Sequence, residues 1–225
     1  SVRKYAQSSD FFNNFPGSLG FGFIRYVRKD EFNQYMKRQK LFRPDFSLKQ
    51  LSLKNEKDYF IIETIEPWEN NLQAVGLDIG SESRRRDAGL RAIDLGIPTL
   101  TAPITLVQTD RQEVGFLYLL PSYKDGVIPK TLEEKRQNFI GWSYTPLISS
   151  ALIEYLDKSI DSKLIIELKD SNGDLIYRDG RNPDERFNEP DKWMVDSISV
   201  GGRKWILRGA TVYNPNIHVT FLISF

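Results

Sequence analysis

Between residues 18 and 27 the chain reads SLGFGFIRYV, alternating as a half-buried strand does. Leu19, Phe21 and Phe23 fall on one face, Gly20, Gly22 and Ile24 on the other. Asp30 is placed to cap a following helix, in which Phe32, Tyr35 and Met36 recur at helical spacing. DYFIIETIEP (58–67) predicts a second strand, stopped by Pro67. From Ser81 to Leu95 the period becomes helical: Ser81 or Ser83 is expected as the cap, Ala88, Ala92 and Leu95 form the apolar stripe, and Gly96 with Pro98 ends it. ITLVQTDRQEVGFLYLLPSY then reads as a hairpin with a polar turn at 109–113 and a stop at Pro121.

A new section opens near GWSYTPLISSALIEYLDKS, where Leu147, Ile148, Leu152, Ile153 and Leu156 have the spacing of a helix face. Four strand candidates follow, KLIIELKD, DLIYRD, KWMVDSISV and RKWILRGATV, read as an antiparallel meander. DSNGD joins the first two by an Asn-Gly turn, and Gly201-Gly202 joins the last two. The pattern predicts an α+β chain of two small modules, 1–144 and 145–225, each a sheet with helices on one side.

Composition narrows the function classes. Over 225 residues, 40% are hydrophobic and 27% charged, and 31 basic against 30 acidic residues leave a net charge of +1. Such a balance provides no basic footprint for nucleic acid or an anionic membrane surface. With no cysteine, disulfides, thiolate metal sites and thiol nucleophiles are excluded. No apolar stretch approaches the roughly 18 residues that span a bilayer. SVRKYAQSSDFF has no signal-peptide pattern and HVTFLISF ends in mid-strand by its look, so the chain is expected to be an excised segment.

Catalytic chemistry finds little support. His218 is the one histidine, and GSES (80–83) is not a nucleophile elbow. DSNGD misplaces the glycine of a calcium loop, and RRR (84–86), with Glu82 and Asp87 beside it, reads as a solvated face sooner than a phosphate site. Carboxylate pairs such as Glu63 with Glu66, or Asp58 with Glu63, have no distinguishing spacing. No catalytic residue, metal ligand or cofactor is expected. One polar residue stands out: Asp78 interrupts an apolar run, and either a ligand donor or nearby backbone amides must take its hydrogen bonds.

The run FIIETIEPWENNLQAVGLDIGSESRRRDAGLRAIDLGIPTLTAPITLVQTDRQEVGFLYLLPSYKDG, with FPGSLGFGFIRYV upstream, resembles the CHASE family of extracytoplasmic sensor domains. The elements that carry the resemblance are the Asp of GLDI, SE before an arginine-rich helix start, LTAPI, Gly115 and LPSY; residues 11 to 126 are well covered and the tail only weakly. The resemblance implies two PAS-like modules, membrane-distal and membrane-proximal, packed on a long N-terminal helix of which a remnant is present. It also implies a small-molecule ligand in the distal module, with signal passed to membrane helices and on to a histidine kinase or diguanylate cyclase output. In the plant cytokinin receptors of this family an adenine-type ligand is bound. By that likeness Asp78, Leu100 and Thr109 would contact the ligand, and Phe116, Tyr118 and Leu120 would line its pocket. Leu120 stands where those receptors carry an aromatic, which leaves an adenine-like ligand and another small amide, amine or peptide-like molecule equally open. A homodimer is expected in the full-length receptor, tethered by flanking segments to the inner or plasma membrane. The alternative is a periplasmic protein-interaction module without a small-molecule ligand; a hydrolase acting through carboxylates is a third reading.

Overall fold

A computed structural model describes residues 17–52, 57–107, 114–151, 164–178 and 194–211. Mixed α+β structure is observed, with two sheets and few helices. The elements, in chain order, are β1 (Phe21–Val27), α1 (Phe32–Phe42), β2 (Lys49–Gln50), β3 (Tyr59–Glu66), β4 (Leu77–Asp78), α2 (Ser83–Leu95), β5 (Thr99–Leu100), β6 (Ile104–Thr105), β7 (Val114–Tyr123), α3 (Leu132–Asn138) and β8 (Phe139–Ile148). The second sheet holds β9 (Leu164–Asp170), β10 (Leu175–Arg178), β11 (Met194–Val200) and β12 (Arg203–Thr211).

The first sheet runs β2-β4-β3-β1-β8-β7-β5, with β6 also paired to β7. One face carries Ile24, Phe60, Ile62, Ile65, Leu117, Leu119, Trp142 and Tyr144, and α2 covers it with Ala88, Ala92 and Ile93. Contact between helix and sheet is close. A side chain at Gly89 would begin 3.1 Å from Trp142 and 3.2 Å from Phe60, and Trp142 Nε1 donates to the Gly89 carbonyl at 3.2 Å. On the opposite face, α1 packs Tyr35, with Phe32 and Met36, against Val27, Phe46 and Ile61. Farther along that face, Phe116 and Leu100 meet Ile166, Leu168, Ile176, Trp205 and Leu207 of the second sheet.

Several local expectations need correction. Glu31, not Asp30, precedes α1, and no side chain caps it. Glu82 caps α2 in place of either serine, and Leu95 is 53% exposed, the buried stripe being Ala88, Gly89, Ala92 and Ile93. Pro121 does not end β7, because β5 pairs only as far as Leu119 and the missing N–H faces no strand. Leu147 and Ile148 belong to β8, where they pair with Phe116 and Gly115. Residues 145–148 thus complete the first sheet. Leu152, Ile153 and Leu156 lie outside the described residues, as does His218. The four strands after 163 form, but in the order β10-β9-β12-β11 and not as a meander.

Candidate functional site

Asp78 is fully buried on the short strand β4. Its Oδ1 accepts the Phe60 N–H at 2.9 Å and the Gly80 N–H at 3.0 Å. Gln50 Nε2 donates to Oδ2 at 3.4 Å. Ser81 Oγ donates to the Asp78 carbonyl at 2.6 Å and accepts the Leu51 N–H at 2.9 Å. This carboxylate therefore ties β2, β3 and the turn leading into α2 to one point.

Leu100, Phe116 and Tyr118 are brought together elsewhere. Leu100 pairs with Tyr118 across β5 and β7. Its N–H donates to the Gly201 carbonyl at 2.8 Å, and its own carbonyl accepts Arg91 Nη2 at 2.9 Å, so both of its backbone polar groups have partners. Phe116 is fully buried with its ring 5.1 Å from that of Trp205, and Tyr118 packs on the same cluster. Leu120 is 45% exposed. Thr109 lies outside the described residues.

Asp78 and the trio Leu100, Phe116 and Tyr118 lie toward opposite edges of the first sheet, with β3, β1 and β8 between their strands. The register row through Asp78 runs Ile61, Arg25, Gly141 and Ser122, four strand spacings of about 4.8 Å each. Phe116 lies a further ~20 Å along β7, at about 3.3 Å per residue.

A cleft of about 540 Å³ opens where the two sheets meet at the start of α2. Its apolar walls are Leu51, Pro103, Ile104, Val114 and Leu175, and its polar groups are Glu82, Arg84, Arg85, Thr105 and Asp174. Glu82 accepts the N–H groups of Arg84 and Arg85 at 2.9 and 3.1 Å, and its Oε2 accepts Arg85 Nη1 at 3.0 Å. Burial pushes the Glu82 carboxyl up, but those two N–H donors and the Arg85 guanidinium outweigh it and hold the group below its ordinary value. Arg85 is 6% exposed and also donates to the Thr105 carbonyl at 2.6 Å. Burial draws its pKa down, opposed by the Glu82 charge. Arg84 donates to the Pro103 carbonyl at 2.6 Å and reaches Asp174, on the second sheet's first turn, at 3.3 Å.

Only Arg84 of the arginine run is solvated: Arg85 is buried, and Arg86 donates to the carbonyls of Asp58 and Gly80 and lies over the Phe60 ring. The cleft residues were hidden in the sequence for two reasons. Glutamate is an unusual cap beside two serines, and Asp174 is 90 residues from Arg84. A usable signal did exist in the Glu82–Arg85 spacing, which places opposite charges on one helix face. The carboxylates singled out for acid–base work are otherwise engaged. Glu63 accepts Arg25 and Gln39, and Asp58 accepts the Tyr26 hydroxyl and the Lys29 N–H.

A family model for the CHASE domain matches residues 1–177, and the chain belongs to that family. With the family comes the class, an extracytoplasmic sensor domain. No curated protein matches the chain in sequence. Among solved structures it is similar to an extracellular ligand binding receptor from Desulfohalobium retbaense DSM5692, at 16% identity and TM-score 0.47, covering 66% of this chain and 28% of that one. A methyl-accepting chemotaxis protein X aligns at 12% identity and TM-score 0.46, over 92% of this chain and 83% of that one. The ligand-binding domain of the Pseudomonas aeruginosa PAO1 amino acid chemoreceptor PctC, in complex with GABA, aligns at 14% identity and TM-score 0.39, over 65% and 67%. The chain spans little more than a quarter of the first receptor's length, 28%. Among the described residues no helix is long and apolar enough to cross a membrane.

Proposed function

We propose that this chain is the small-molecule-sensing part of a transmembrane receptor, its two sheets being two PAS-like modules. The ligand binds at the cleft beside α2, on the first module, and the second module reads its occupancy. The observation that carries this reading is the cleft itself: α2, β6 and β7 of one sheet and the β9–β10 turn of the other wall it together. Its size falls in the usual range of small-molecule sites, and its lining divides evenly between apolar residues and polar or charged ones. A ligand that fits one relative placement of the sheets better than another shifts the balance between them. Leu100, Phe116 and Tyr118 then act as the joint beneath the cleft, since Val114 both lines the cleft and packs on their cluster. Asp78 acts by fixing the turn from which Glu82, Arg84 and Arg85 reach the cleft. In a full-length receptor the change would pass to flanking membrane segments of a homodimer and to a histidine kinase or cyclase output.

A thermal-shift screen of the chain against purines, amino acids and small amides tests the proposal. A saturable rise in melting temperature that is lost when Thr105→Trp, at an exposed lining position, obstructs the cleft supports it. If no compound in any class shifts the wild-type protein, the reading fails. The alternative, a protein-interaction module, has one observation in its favour: Leu95, Ile97, Val127 and Ile128 are all exposed around the end of α2.

A further inference from the structure

The charges in the cleft bear on the chemistry of its ligand, given the sensing role and location proposed above. Glu82 and Asp174 oppose Arg84 and Arg85, so the lining is neutral as a whole. Glu82 and Arg85 are committed to one another, to the first N–H groups of α2 and to the Thr105 carbonyl. Between Arg84 and Asp174 the situation differs. Their side chains are 45% and 34% exposed and 3.3 Å apart, each from a different sheet. Exposed pairs of this kind contribute little to stability, so a ligand that offers the same two charges can replace the contact at small cost. A purely anionic ligand would satisfy Arg84 and strand Asp174; a cation would do the reverse. Among the described residues no aromatic ring lines the cleft, so none of them offers a purine a stacking partner there. Aliphatic side chains form the remaining walls.

We propose that the cleft takes a small aliphatic zwitterion, its carboxylate on the Arg84 guanidinium and its ammonium on the Asp174 carboxylate. The Pro103 carbonyl, already bonded to Arg84 Nη1, keeps the guanidinium at the cleft when Asp174 is drawn away. Such a ligand joins α2 of the first sheet to the β9–β10 turn of the second in place of their direct ion pair. Occupancy then resets the spacing of the two sheets.

The experiment compares L-valine and γ-aminobutyrate with isobutylamine and isovalerate, which carry one charge each, and with adenine. Melting temperature and calorimetric titration are the readouts. A zwitterion is expected to raise the melting temperature by several degrees at saturation, while the two monofunctional compounds leave it unchanged. Arg84→Ala and Asp174→Asn are each expected to lower zwitterion affinity by tenfold or more with little change in the ligand-free protein. Should Arg84→Ala fail to fold, Arg84→Lys, which keeps the charge but not the fork, is expected to weaken binding severalfold. Zwitterion binding untouched by both Arg84 and Asp174 variants overturns the proposal. Binding of adenine alone, lost when Thr105→Trp obstructs the cleft, also overturns it yet leaves the sensing function standing. Absence of any shift sinks both.

Discussion

Asp78 and Phe60 lie 18 residues apart, and one carboxylate oxygen of Asp78 accepts the Phe60 N–H at 2.9 Å while also accepting the Gly80 N–H at 3.0 Å. A single buried side chain thereby satisfies two backbone donors, one on β3 and one in the turn before α2. Buried donors without partners cost about 1–3 kcal/mol each. Asp78→Ala is therefore expected to destabilise the chain by ~2–4 kcal/mol in urea unfolding. Asp78→Asn, which keeps an acceptor oxygen, is expected to recover more than half of that loss. A near-wild-type Asp78→Ala would show that the carboxylate is not needed to hold the turn.

The sequence leaves two roles open for Asp78 because its partners are backbone amides, and a backbone donor writes no letter. Elsewhere the legible features are local ones. Tyr35 and Met36 on α1, or Ala88 and Ala92 on α2, declare a buried face through spacing alone. Features set by distant pairing do not declare themselves. The run Leu147–Ile148 suits a helix face and a strand equally, and only its register against β7 decides between them. For the same reason the β9–β12 pairing, and the Arg84–Asp174 pair at the cleft, could not be read from spacing. The expected ligand contacts came from family likeness, and they divide between two places: Asp78 at one, Leu100 with Phe116 and Tyr118 at the other.

Glu82 gives the cleft a pH dependence with a definite sign. Its folded carboxyl titrates below the ordinary value of 4.5, since the amide donors and Arg85 outweigh burial. A depressed carboxylate contributes stability that is complete above its unfolded pKa and is lost as pH falls through the folded one. The stability difference between wild type and Glu82→Gln is thus expected to be constant from about pH 6 to 8 and to shrink below about pH 4.5. Denaturant titrations at stepped pH measure it. A gap that widens in acid would contradict the cap geometry.

Phe116 distinguishes a core joint from a ligand wall. Its ring is fully buried against Trp205, and truncating an aromatic in such a place costs about 3–5 kcal/mol. Phe116→Ala is expected to lose stability by that amount without any ligand, and to shift tryptophan emission as Trp205 gains water. A stable Phe116→Ala protein with unchanged emission would place the ring in a pocket and not in the joint.

Gly201 is a tightly constrained position of that joint. Its φ is +53°, in the left-handed region, and a Cβ there would begin 2.7 Å from Leu100 Cβ and 2.8 Å from Leu100 N. The second contact is with backbone, so rotation of a side chain cannot relieve it. Left-handed backbone costs a non-glycine residue roughly 1–2 kcal/mol, and forced overpacking commonly adds about 1–3 kcal/mol. Gly201→Ala is expected to lose ~2–4 kcal/mol and, because the Leu100 N–H to Gly201 carbonyl bond must lengthen, to speed hydrogen exchange at the Leu100 amide. Gly201 is not among the residues that line the cleft. If the second sheet reads the cleft through this joint, Gly201→Ala should bind ligand with near-normal affinity while its binding no longer protects amides on β12. Equal protection in mutant and wild type would mean that the sheets communicate through the Arg84–Asp174 side of the cleft alone.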